Sequence, residues 1–327
     1  MIKSSLYFYS LLLLFCSNIA FANVSKSSVD ALLQQAQQAT ETKNYQQAFS
    51  FYLQAAEQYQ DPLATVSVAN YYQYGIGMTP NSTLACIWYK KSALHKTPIA
   101  LDFAAQCLLA EQNSSENVSK AIEYFELAAT SGHHISWCNL ADLYFSGELV
   151  KKDIPKAISL CERSALQSSP VAMLRVGNMY LKSDQEADRN TGANWILHAA
   201  EINHFPAQYR LAELYEQGIS TEASLYGALN WYEKAASNGY QPAYAKVAEI
   251  YFNSPKDAET GLWQEAALAK AYMWLSASVK TNKVEVEKAQ LQTMLTEVTN
   301  EMPPSWQSSL DKKVRAHFEA INNKSDK

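Results

Sequence analysis

Few residues in this chain combine the type and spacing that chemistry needs. The one histidine pair, His133-His134, follows Gly132 between two apolar-periodic runs, with no cysteine or carboxylate at ligand spacing beside it. His198 and His204 stand six apart, one in a helical run and one in a turn, and do not converge on a metal. Ser309 and Lys312 match Ser-x-x-Lys, the residue types of an acyl-transfer nucleophile and its neighbour. Neither Lys-Thr-Gly nor Ser-Asp-Asn accompanies them. His-Glu-x-x-His, Gly-x-Ser-x-Gly and a phosphate-cradling glycine loop are absent as well. The reading is a non-enzymatic chain with no metal and no cofactor.

The elements that would position any such group come from a repeat. An alanine opens one helical run after another at Ala48, Ala85, Ala121, Ala157, Ala193 and Ala228, in steps of 37, 36, 36, 36 and 35 residues. A seventh, Ala271, follows after 43, because the connection between Asn253 and Ala267 lengthens. Preceding runs begin at Pro62, Pro98, Pro170, Pro206 and Pro242, since proline suits the first helical turn, where its missing N–H has no partner anyway. Several of these runs end in Gly75, Gly147 and Gly218, which permit a left-handed cap. A period near 36 built of two helices predicts an all-α fold, an α-solenoid of antiparallel pairs that must stack to bury their apolar faces. Small residues (Ala69, Ala141, Gly177, Ala212, Ala248) let helices approach, and Tyr72, Tyr144, Tyr180, Tyr215 and Tyr251 are expected to fill the space beside them as core. Val284 to Val298 and Trp306 to Ile321 form two closing helices, separated by Pro303-Pro304.

One polar column breaks the apolar pattern. Asn70, Gln106, Asp142, Asn178, Glu213 and Glu249 each follow the small residue of a first helix, in steps of 36, 36, 36, 35 and 36. Asp102 and Tyr209 lie one turn earlier and flank it. Such a ladder suits hydrogen bonding to an extended peptide or contact with a basic partner. It equally suits a solvated face with hydrogen bonds between helices.

The N-terminus reads as a leader over 1–22. Lys3 precedes an apolar run centred on Leu11 to Phe15, and Ala20-Phe21-Ala22 has the small-x-small cleavage pattern. The run is short for a bilayer span, and bulky Phe15 before Cys16 argues against lipid attachment. Cleavage would leave a soluble exported chain with no membrane span, and its net charge of −5 would become −6 once Lys3 is lost. That acidity, with no basic run longer than a doublet such as Lys312-Lys313, argues against nucleic-acid binding. Cys86, Cys107, Cys138 and Cys161 would remain, and an oxidising compartment permits two disulfides. Helix levels favour Cys86 with Cys107 and Cys138 with Cys161; four thiols buried as small hydrophobes are the alternative.

The motif A-x-x-x-L-A/G-x-x-Y-x-x-G followed by A-x-x-W-Y-x-x-A-A-x-x-G resembles the Sel-1-like repeat (SLR), a relative of the tetratricopeptide repeat. The resemblance covers the repeats over 61–280. The first pair, 23–60 with NYQQAFSFYLQAA, is closer to a plain tetratricopeptide unit, and 281–327 is a capping region with a tail. The repeat at Ala100 lacks the glycine and the terminal tyrosine, and the one at Ala172 ends in Lys182-Ser183. The resemblance implies a right-handed superhelix with first helices on its concave face, so the ladder would face inward. It further implies a monomeric protein-binding scaffold or adaptor whose partner is a protein or peptide, of the exported bacterial type in the periplasm or outside the cell. Regulation of a cell-wall enzyme or sensor kinase is the alternative. Penicillin-binding chemistry through Ser309 is more remote, because cysteine-rich members linked to it carry a cysteine pair in each repeat, unlike this chain.

Overall fold

A computed structural model describes residues 28–111 and 114–325. The leader expected over 1–22 lies outside them. The chain divides into two compact units, Met1–Ala157 and Ile158–Lys327. The first contains α1 (28–41), α2 (Tyr45–Tyr59), α3 (Pro62–Tyr74), α4 (Ser82–Ala93), α5 (Pro98–Ala110), α6 (Ser115–Thr130) and α7 (Ser136–Ser146). The division falls inside α8 (Ile154–Ala165). The second contains α9 (Pro170–Tyr180), α10 (Glu186–Glu201), α11 (Phe205–Gln217), α12 (Leu225–Ser237), α13 (Pro242–Phe252), α14 (Glu265–Thr281), α15 (Glu285–Glu301) and α16 (Pro304–Ser325). The architecture is all-α, and within each unit consecutive helices pack as the stacked pairs of an α-solenoid.

Local chemistry explains where the helices start and stop. The Asp61 carboxylate accepts from the Ala64 amide at 2.8 Å and Pro62 occupies the first turn, so α3 begins with an otherwise orphan donor satisfied. Ser169 caps α9 in the same way, with Pro170 behind it. At the other end Gly75, Gly147 and Gly218 take φ of 64°, 72° and 68°, and their amides return to Tyr71, Leu143 and Leu214. The two closing helices run longer than the apolar pattern alone predicts. Pro304 serves as the first turn of α16 rather than as a spacer.

The cores are built of alanine and aromatic residues. Ala212, Ala228, Ala235, Ala236 and Ala248 are fully buried in the second unit, as are Ala64, Ala69, Ala85, Ala100 and Ala104 in the first. Gly177 and Gly192 carry the approach furthest: a Cβ on Gly177 would meet the Gly192 carbonyl oxygen at 2.8 Å and Ile196 at 2.7 Å.

The tyrosines refine the sequence reading. Tyr72, Tyr144, Tyr180, Tyr215 and Tyr251 are half-buried, and Tyr72, Tyr215 and Tyr251 pack against the buried cores as expected. The phenol of Tyr180 donates to Glu162 at 2.8 Å and that of Tyr251 to Glu233 at 3.1 Å, which keeps their hydroxyl ends among polar groups. The fully buried tyrosines are Tyr89, Tyr232 and Tyr244, whose hydroxyls bond to Asn70, Glu216 and His317.

Cys86 on α4 and Cys107 on α5 form a disulfide with a Cα–Cα distance of 5.6 Å. Cys138 and Cys161 are buried and disulfide-bonded as well. No helix of the described residues is long and apolar enough to cross a membrane.

Candidate partner-binding surface

In the first unit, the ladder residues have unequal surroundings. Asn70 on α3 accepts from the buried Tyr89 hydroxyl of α4 at 2.7 Å. Gln106 on α5 and Asp142 on α7 are exposed. Asp102 departs from the expectation of a flanking contact for a partner. It is 2% exposed and accepts from Ser136 Oγ at 2.5 Å, Asn139 Nδ2 at 2.7 Å and Gln106 Nε2 at 2.7 Å. A carboxylate so buried persists because three donors replace its water. Asp102 therefore joins α5 to α7.

In the second unit the same logic recurs with charges. Arg210 on α11 donates from Nε to Asn178 on α9 at 3.0 Å and from Nη1 to Glu213 at 2.8 Å. One residue of each sign and one amide thus come together, and two predicted residues, Asn178 and Glu213, share a partner that was not predicted. Lys246 on α13 reaches back to Glu216 on α11 at 3.7 Å. Tyr209 packs against Tyr232 and Tyr240 at ring separations of 5.1 and 5.5 Å. Burial, then Glu213, Tyr240, Glu216 and Glu249, push its phenol up to about 12. Glu249 is exposed, and among the described residues its carboxylate has no hydrogen bond or ion pair.

Asn139, Arg210 and Lys246 share one repeat position, three residues before Asp142, Glu213 and Glu249. Each reaches back to the preceding first helix, to Asp102, Asn178 and Glu216 respectively. The signal was present in the sequence as a second polar column, which one-turn spacing on a helix sets beside the first. The ladder face is thus stitched from within at Asn70, Asn178 and Glu213. Gln106, Asp142 and Glu249 are its exposed members.

The remaining candidates do not assemble a site. His133 is half-buried and His134 exposed in the turn before α7. No group of three histidine, cysteine or acidic side chains able to hold a metal occurs among the described residues. Burial lowers the pKa of His204, whereas His198 lies exposed against Glu201 at 3.7 Å. Ser309 and Lys312 are both exposed on α16, beside the buried Leu310, so no enclosed cleft surrounds the hydroxyl.

Comparison with known proteins supplies the lineage. A family model described as Sel1 repeat matches residues 37–59, 62–96, 103–133, 138–169, 170–204 and 206–240. A chitin synthase regulator of Saccharomyces cerevisiae is 34% identical over 116 residues, 34% of this chain and 17% of that protein. Chitin synthase regulatory factor 3 of Schizosaccharomyces pombe is 30% identical over 106 residues, 31% of this chain and 11% of that protein. The chain therefore spans less than a fifth of the length of either relative. Among solved structures, a protective antigen of uropathogenic Escherichia coli that displays an SLR fold superposes with a TM-score of 0.60 at 22% identity, covering 89% of this chain and 61% of that one. A Sel1 repeat protein from Oxalobacter formigenes gives 0.59 at 23%, covering 76% and 100%. At these identities the two structures show a shared fold. Sel1 repeat proteins generally mediate protein–protein interaction, and the scaffold is typically non-catalytic. With six matched repeats over more than half of its length, the chain belongs to the Sel1 repeat family.

Proposed function

We propose that this chain is a non-enzymatic adaptor that binds a protein or peptide partner on the first-helix face carrying the polar ladder. The observation that carries the reading is the recurrence of one polar position every 35 or 36 residues, with Gln106, Asp142 and Glu249 exposed on repeated helices. Exposed polar groups on stacked helices offer orientation-specific hydrogen bonds and charge complementarity. We place it outside the bacterial cytoplasm, in the periplasm or secreted, on the strength of the leader pattern. N-terminal sequencing of the exported protein should then begin at Asn23. A chain that keeps Lys3 after export contradicts that cleavage.

A second reading has its own support. Two relatives that share a third of this chain are by name regulators of chitin synthase, an enzyme of polysaccharide synthesis. By analogy, the partner here is an envelope enzyme or a sensor kinase whose activity this chain adjusts. One experiment serves both readings: quantitative affinity capture from an envelope extract with wild type and with the exposed Gln106 and Asp142 both changed to Lys. The reading expects the captured protein to be lost from the variant. Equal capture of the same protein sinks the surface assignment, and the identity of the captured protein decides between adaptor and regulator.

A further inference from the structure

The last repeat departs from the others in one respect that creates a cavity. Seven residues separate the paired helices at 75–81, 147–153 and 218–224, but twelve separate α13 from α14 at 253–264. The longer connection is held in place. Trp263 is buried and donates from Nε1 to the Phe252 carbonyl at 2.9 Å, Lys256 pairs with Trp263 in an antiparallel bridge, and the Asp257 carboxylate accepts from Thr260 Oγ1 at 2.9 Å. This connection forms one wall of a cleft of about 580 Å³. The other walls come from α11, α12, α13 and the start of α14.

The cleft has two chemical halves. Leu229, Ile250, Pro255 and Ala267 line it, and Leu225 and Tyr226 stand on its lip with 59% and 83% of their surface in solvent. Two neighbouring large apolar side chains so exposed mark a surface that gains by being covered. The polar half holds Glu216, Lys246 and Glu249. Lys246 and Glu216 compensate each other at 3.7 Å, which leaves the negative charge of Glu249 at the mouth. The raised phenol of Tyr209, to which Glu216 and Glu249 both contribute, registers the same negative field from the neighbouring helix.

We infer that this cleft binds a peptide segment in which a large aliphatic or aromatic side chain is followed closely by lysine or arginine. The apolar side chain fills the space between Leu229, Ile250 and Pro255. The cation meets Glu249 at the mouth, and Tyr226 folds over the apolar side chain from the lip. A volume of several hundred Å³ accommodates one or two large side chains rather than a folded surface. The inference rests on the adaptor reading only in that the occupant is a peptide.

The test is selection from a phage-displayed random peptide library on the full mature protein, repeated on Ala266→Trp and Glu249→Lys. Ala266 is exposed in the first turn of α14, so the tryptophan blocks the cleft without entering the core. A helical circular dichroism spectrum equal to wild type confirms folding. The expected result is a wild-type consensus of an apolar residue next to Lys or Arg, and a synthetic consensus peptide that binds about tenfold or more weakly to either variant. Four results overturn the inference: no consensus, a consensus without a basic residue, unchanged binding to Ala266→Trp, or unchanged binding to Glu249→Lys. The library needs no natural partner, so its failure leaves the adaptor reading standing. Loss of the adaptor reading in the capture experiment likewise leaves the cleft standing.

Discussion

Asp102 shows how a polar residue in a helical repeat becomes structural. Its three donors come from its own helix and from α7, and Ser136 is itself fully buried. Removing the carboxylate leaves those donors unsatisfied, so Asp102→Ala should cost about 2–3 kcal/mol, while Asp102→Asn, which keeps an acceptor, should cost about 1 kcal/mol. Urea denaturation followed by circular dichroism reads the difference; equal midpoints for the two variants contradict the account. The sequence offered Asp102 only as a neighbour of the ladder. Its burial depends on Ser136 and Asn139, more than thirty residues on, and one-dimensional spacing does not pair specific side chains. The phenols make a second residue-level prediction. Tyr180, Tyr209 and Tyr244 are each pushed up to about 12 from 10.0, by burial first and, for Tyr180 and Tyr209, by neighbouring carboxylates as well. A raised acid favours the neutral phenol in the folded chain. That stabilisation is complete below pH 10 and is lost as pH climbs from about 10 to about 12. Phenolate absorbance and helicity should therefore change together in that window. Full ionisation near the ordinary value with helicity intact would falsify the assignment.

At the scale of elements, the glycines separate propensity from packing. Inside a helix, Gly→Ala gains about 1 kcal/mol of intrinsic propensity. At Gly177 the new methyl would meet a backbone oxygen at 2.8 Å, which cannot move aside cheaply, and overpacking of that kind costs about 1–3 kcal/mol. Gly177→Ala should therefore destabilise the second unit despite the better helix former. A rise in its melting temperature contradicts the close approach of α9 and α10. The cysteines belong here too. The Cys86–Cys107 bridge closes a loop across α4 and α5 with a separation of 21 residues, and its loss should cost about 3 kcal/mol. Thiol labelling of the unfolded, unreduced mature protein should find none of the four cysteines free, and any labelled cysteine contradicts the oxidised state. Much at this scale was readable beforehand. Pro62 and Gly75 bracket α3 because each has a backbone preference that acts locally. The extent of α15 was harder to read, since neither end carries a side-chain cap or a glycine.

For the whole molecule, regular spacing made the fold legible and the surface only half so. A repeat advertises its apolar positions because each copy must bury the same face. It advertises exposed positions without saying which bond to a neighbour. Asn178 and Glu213 are tied to Arg210, Asn70 to Tyr89 and Gln106 to Asp102, and of the ladder residues Gln106, Asp142 and Glu249 are the solvent-exposed ones. In each unit, solvent-exposed polar residues thus stand beside bonded ones at the same repeat position, an arrangement suited to discrimination between partners more than to raw affinity. Site-specific photo-crosslinking in living cells tests this most directly. A photoreactive amino acid replaces Gln106, Asp142 or Glu249 in turn, with Glu123 on α6, also exposed, as the control. The account predicts one protein partner crosslinked from the three ladder positions and not from Glu123. Crosslinking to that partner from Glu123 alone, or from none of the four positions, contradicts it.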